Sequence, residues 1–136
     1  MKKIILTLAG IIFCAFNFLN AQNLVSNSSF ETYSACPSAL AQVANATSWI
    51  QPTGGTSDYY NTCGTTLAVQ VPVNNFGTQS SNTGNAYVGL FAYHFFIDYR
   101  EYIQIQLTAP LVAAQTYNFS MYVSLDRKST RLNSSH

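Results

Sequence analysis

The sequence predicts an all-β domain, an antiparallel β-sandwich, on three observations. Residues 102–107 alternate strictly, with Ile103, Ile105 and Leu107 on one face and Tyr102, Gln104 and Gln106 on the other. Residues 117–125 repeat the pattern, setting Tyr117, Phe119, Met121, Val123 and Leu125 inward and Asn118, Ser120, Tyr122 and Ser124 outward. Beyond the first 21 residues no stretch sustains a 3.6-residue apolar period, and the strand signals are spaced by loops rich in Gly, Asn, Ser and Thr.

The remaining elements follow in chain order. Leu24 with Val25, and residues 29–31, begin the sheet system. Residues 38–46 suit a helical turn or two. Residues 52–57 and 74–85 read as loops from their Gly, Asn, Ser and Thr content. The apolar run 67–71 forms a short strand ended by Pro72, which cannot donate to a ladder. Residues 85–93 form another strand. No internal repeat is present.

The two ends stand apart from this domain. Lys2 and Lys3 precede an apolar run at 4–18, broken only by Thr7 and Asn17, and Ala21 offers a small residue for cleavage before Gln22. That is the pattern of a secretory signal. A run of 15 is shorter than the roughly 20 residues a spanning helix needs. Phe13 before Cys14 is too bulky for a lipid-attachment box. At the other end, residues 126–136 read DRKSTRLNSSH, polar and basic after a chain with almost no basic residues. These eleven residues match the translation of a sequencing-library adapter, so the tail is read as an artefact and the natural chain as continuing past Leu125.

Between Gln22 and Leu125, Arg100 is the one Lys or Arg, set against Glu31, Asp58, Asp98 and Glu101, a net charge of −3. One arginine cannot neutralise a phosphate backbone, which excludes nucleic acid as a partner. A hydrophobic content of 48% and an aromatic content of 14% exclude a disordered chain. Two cysteines remain after signal removal, Cys36 and Cys63. In an exported chain this even count predicts one disulfide.

A family resemblance rests on short motifs in a fixed order. Asn23-Leu-Val-Ser-Asn-Ser-Ser-Phe-Glu31 resembles the opening strand of galactose-binding-like jelly rolls of the carbohydrate-binding-module type, in which a Trp follows, here Trp49. Gly55-Thr-Ser-Asp-Tyr59, Cys63, Gly84-Asn-Ala-Tyr87, Arg100-Glu-Tyr-Ile-Gln-Ile-Gln-Leu107 and Gln115-Thr-Tyr117 extend the likeness to the N-terminal module of secreted and outer-membrane surface proteins of the Bacteroidota. Ala114 stands where the family usually has Gly, which matters if the turn there needs positive φ. The resemblance implies a jelly roll of about eight strands. Its closing strands would lie past Leu125, leaving an uncovered sheet edge prone to aggregation. It also implies a downstream domain in cis, either peptidoglycan-binding and outer-membrane-protein-A-like or secretion-sorting. A structural calcium, held in part by Glu31, is a further implication.

The residues offer little for catalysis. His94 is the one imidazole of the domain, no G-x-S-x-G elbow exists, and Gly54-Gly55 lacks the Lys of a phosphate loop. Asp98 and Glu101 are three apart, so in a regular strand they point to opposite faces, and their neighbour Arg100 suggests charge pairing. Binding is better served. Sugars present apolar C–H faces and a rim of hydroxyls, so receptors combine flat rings with amides or carboxylates. Asp58, Tyr59, Tyr60 and Asn61 supply both in what reads as a loop, with Trp49 brought near if a Cys36–Cys63 disulfide gathers these segments. Tyr102, Gln104, Gln106, Asn118 and Tyr122 form a second candidate surface. The expectation is an exported, non-catalytic module at the cell surface, in the outer membrane or secreted, that binds a polysaccharide or cell-surface glycan. A structural spacer or adhesion module without a sugar site is the rival, followed by the accessory domain of an enzyme.

Overall fold

The structure, a computed structural model, describes residues 22–93 and 98–125. The signal-like segment, His94 and residues 126–136 lie outside the described residues. Within them the chain is all-β. The strands are β1 (Trp49–Ile50), β2 (Asp58–Asn61), β3 (Val73–Asn74), β4 (Gly77–Thr78), β5 (Ala86–Gly89) and β6 (Gln104–Ile105). One 3-10 turn at Val43–Asn45 answers the helical expectation for residues 38–46. The strands pair antiparallel as β1–β6, β2–β5 and β3–β4.

The β2–β5 ladder is the longest, with Asp58 opposite Gly89, Tyr59 opposite Val88, Tyr60 opposite Tyr87 and Asn61 opposite Ala86. Tyr60 stacks on Tyr87 at 4.9 Å between ring centroids, a cross-strand aromatic pair that contributes roughly 0.2–1 kcal/mol. Gly89 leaves the room this stack requires, because a Cβ there would come within 2.8 Å of the Tyr60 ring. Tyr59 lies fully buried in a small core with Ala46 and Ala86, and Phe30, Trp49 and Val88 pack against it. Phe30 and Trp49 approach to 4.8 Å between centroids.

Several expected strands are shorter or absent. The opening segment turns at Asn27, whose φ is +48. Its side-chain amide donates to the Thr32 and Thr47 carbonyls and accepts from the Thr32 N–H. These local bonds replace a ladder, an arrangement open to Asn because its side chain bonds the backbone at left-handed φ. Residues 67–71 make a turn that buries Val69, with a single parallel bridge from Gln70 to Asn61. The expected strand at 85–93 is ordered as a ladder only over Ala86–Gly89. Residues 74–85, read as a loop, include the second half of the β3–β4 hairpin.

At 102–107 the alternation of exposed and half-buried residues is present, but only Gln104 and Ile105 pair, against Ile50 and Trp49. Residues 117–125 are exposed throughout and carry no regular structure. Alternation creates a strand-competent face; a ladder also needs a partner strand, and none of the described residues supplies one there.

Ala114 does sit at positive φ, +64, as does Ala41. Left-handed backbone costs an alanine roughly 1–2 kcal/mol that glycine avoids. The Ala41 N–H is tied to the Asp58 carboxylate at 2.7 Å, so its conformation belongs to the folded core. Ala41→Gly should therefore raise stability by about 0.5–1 kcal/mol, after the greater chain entropy of glycine is subtracted. Urea midpoints of the two proteins check this.

Candidate functional site

The four residues read as a binding loop form strand β2 and are buried: Asp58, Tyr59, Tyr60 and Asn61 are 7%, 0%, 4% and 1% exposed. Their polar atoms serve one another. The Tyr60 hydroxyl donates to Asp58 Oδ2 at 3.1 Å, the Asn61 amide to the Tyr59 hydroxyl at 2.8 Å, and the Tyr59 hydroxyl to the Phe30 carbonyl at 2.8 Å. Burial raises the Asp58 carboxyl above its ordinary value, against the pull of the Ala41 N–H and the Tyr60 hydroxyl, while the Glu101 charge adds to the rise. The Tyr60 phenol is raised strongly by burial and by the neighbouring Asp58 charge. Polar groups can enter a core on these terms because each finds a partner. This tetrad is internal structure with no open face.

Trp49 does lie beside Tyr59, but as core. Its ring packs on Phe30, and its indole N–H donates to the Asn27 carbonyl at 2.9 Å. Cys36 and Cys63 form the expected disulfide, with Cα atoms 5.5 Å apart. Beside it the Thr65 N–H donates to the Pro37 carbonyl and the Thr66 hydroxyl to the Ser38 carbonyl.

The second candidate surface is only partly assembled. Tyr102 is exposed next to β6, and Gln104 is an outward residue of β6 itself. Asn118 and Tyr122, the latter 84% exposed, lie on the irregular segment that pairs with nothing. No common sheet face joins them to Tyr102.

Tyr102 belongs instead to an open cleft of about 320 Å³, walled by residues 53–55 on one side and by Asp98, Tyr99, Arg100 and Tyr102 on the other. Arg100 pairs with Asp98 and lies 5.8 Å from the centre of the Tyr93 ring. The two walls are joined by Glu101, which is 3% exposed. Its Oε1 accepts from the Thr56 N–H at 3.0 Å, the Thr56 hydroxyl at 2.7 Å and the Tyr99 hydroxyl at 2.9 Å. Its Oε2 accepts from the Phe91 N–H at 2.9 Å. Burial alone would raise this carboxyl, but the bonds from Thr56, Phe91 and Tyr99 hold it below its ordinary value.

Asp98 and Glu101 thus part ways, one paired with Arg100 at the surface and one buried as a hub. The cleft combines a half-exposed phenol ring, a glycine backbone and an ion pair. Such a set can take a polar ligand that also has an apolar face. Tyr99, Arg100 and residues 53–55 are site residues the sequence reading did not single out for binding. The available signal was the run of two tyrosines around a charged pair at 99–102, of which the sequence reading took Tyr102 alone as a binding candidate and Arg100 as a charge partner.

Glu31, the residue the resemblance assigns to a structural calcium, is engaged by the backbone at the start of β5. Its Oε1 accepts from the Asn85 and Ala86 N–H groups at 2.8 and 3.0 Å, and the adjacent Gly84, at φ +64, admits the carboxylate where a Cβ would collide with it. Among the described residues no group of three or more His, Cys, Asp or Glu is placed to hold a metal ion. No described helix is long and apolar enough to cross a membrane. No protein-family model, curated protein or solved structure matches this chain.

Proposed function

We propose that the mature domain is a non-catalytic extracellular module that binds glycan, the N-terminal part of a jelly-roll sandwich in a larger secreted or outer-membrane surface protein. The signal-like start and the disulfide support an oxidising, extracellular setting. The observation that carries the binding reading is the cleft beside Tyr102, where an aromatic ring meets polar groups across an open surface. Glu101 argues against acid–base chemistry there. A carboxylate that is 3% exposed, with its pKa held below the ordinary value by four donors, is a weak base with little access to solvent.

Titration of the full chain with a panel of polysaccharides, followed by tyrosine fluorescence and calorimetry, tests the proposal. Saturable binding is expected, weakened about tenfold or more by Tyr102→Ala, a loss of roughly 1.4 kcal/mol. Tyr102 is 49% exposed, so the variant should keep the fold. Absence of any response from the folded wild type would overturn the glycan reading. It would favour the spacer, which the burial of Asp58, Tyr59, Tyr60 and Asn61 already supports.

A further inference from the structure

We infer that the cleft beside Tyr102 selects neutral sugars over acidic ones, with the Arg100–Asp98 pair as its specificity-determining group. The inference rests on the glycan reading above and adds to it the charge class of the ligand. Arg100 is the one Lys or Arg between Gln22 and Leu125. It is therefore the one place there where the carboxylate of a uronic acid would find a strong counter-charge. That place is already taken. Arg100 Nη1 donates to Asp98 Oδ1, and the guanidinium lies 5.8 Å from the centre of the Tyr93 ring. The pair is neutral as a whole and polar at both ends. The Asp98 side chain is 77% exposed and that of Arg100 44%. Among the described residues, their bond to each other is the one hydrogen bond that either side chain makes. Arg100 thus keeps N–H donors to spare and Asp98 keeps Oδ2 as an acceptor, both at the wall of the cleft. A sugar hydroxyl donates and accepts, so an adjacent donor and acceptor answer it. The Tyr102 ring in the same wall offers a flat face to the C–H groups.

An acidic sugar meets the opposite conditions. To reach Arg100 its carboxylate must displace Asp98, which exchanges one carboxylate for another and leaves Asp98 charged and unpaired beside the ligand. Like charges so placed repel. Glu101 adds a further negative charge at the next position, held in place by the bonds from Thr56, Phe91 and Tyr99. The net charge between Gln22 and Leu125 is −3. A polyanion approaching the cleft is repelled by this field, most strongly at low ionic strength.

The test uses the full chain and polysaccharides in matched charge states. Amylose, galactomannan and β-1,3-glucan are each compared with the form oxidised at the primary hydroxyl to the uronate, and polygalacturonate with its carboxyl-reduced form. The linkages are the same within each pair. Calorimetry at low salt is expected to show the neutral member of any bound pair about tenfold or more tighter than the acidic one. The difference should shrink as salt screens the field. Asp98→Asn removes the anion and leaves Arg100 uncompensated, so the neutral-to-acidic affinity ratio should fall about tenfold or more. The exposure of Asp98 suits this variant to keep the fold, which near-UV circular dichroism checks. An acidic member bound as tightly as its neutral partner would overturn the charge assignment and leave the glycan reading standing. So would an affinity ratio unchanged in Asp98→Asn. No response to either member of any pair would overturn both readings together.

Discussion

Replacing Glu101 with alanine is expected to cost about 2–4 kcal/mol, a large part of the 5–15 kcal/mol that holds a typical domain together. The residue is 3% exposed and its carboxylate accepts four hydrogen bonds, which join Thr56, Phe91 and Tyr99. Without it the part-buried Thr56 and Phe91 N–H groups lose their acceptors. Unmet buried donors cost roughly 1–3 kcal/mol each. Glu101→Gln keeps one acceptor oxygen but turns an NH2 toward a donor, so it should cost about half as much. Urea unfolding of the three proteins at neutral pH measures the order. Equal midpoints for wild type and Glu101→Ala would show that the hub is dispensable.

The same residue sets an acid limit. Glu101 has a pKa below its ordinary 4.5 in the fold. The unfolded chain therefore takes up its proton first, and the Glu101 contribution is complete above about pH 4.5 and is lost as pH falls through the depressed folded value. Asp58 works in the opposite sense. Its pKa is raised above 3.8 by burial, so its contribution is present below that value and is lost as pH rises through the raised folded value. Stability measured against pH should fall more gently on acidification in Glu101→Gln than in wild type. In Asp58→Asn the fall on acidification should steepen, because the opposing contribution is gone.

Loss of the Cys36–Cys63 disulfide is the second large effect. The bridge spans 27 positions of sequence, and closing such a loop in the unfolded chain corresponds to about 3.5 kcal/mol on the chain-entropy estimate. Cys36→Ser/Cys63→Ser should lower stability by about that amount, and reduction of the wild type should give the same shift. The bonds from Thr65 to Pro37 and from Thr66 to Ser38 hold the same two segments in the fold. They do not restrain the unfolded chain, so they cannot replace the bridge. A shift below about 1 kcal/mol would indicate that the reduced unfolded state already keeps these segments together.

How much was legible depended on the range of the interaction. Cys36 and Cys63 could be paired by counting, because compartment and parity suffice. Trp49 was placed near Tyr59 on the same ground, though as core, with its indole N–H satisfied by Asn27. The need for positive φ at Ala114 was legible as a condition on one residue. The tetrad 58–61 misled because its composition, one acid, two phenols and an amide, is that of a polar loop. What buries it is a set of partners far along the chain: Phe30 for Tyr59, Ala41 for Asp58, and the residues of β5 across the ladder.

The chain by itself determined the all-β class and the disulfide, since each follows from residue type, count or short-range period. Only the tertiary structure decided which polar residues are inside, that Glu101 rather than Arg100 organises the cleft, and which alternating segments obtain a partner. Residues 102–107 and 117–125 carry the same two-residue period. The first touches β1 and the second touches no strand, because hydrogen bonding between strands depends on what the rest of the chain brings alongside.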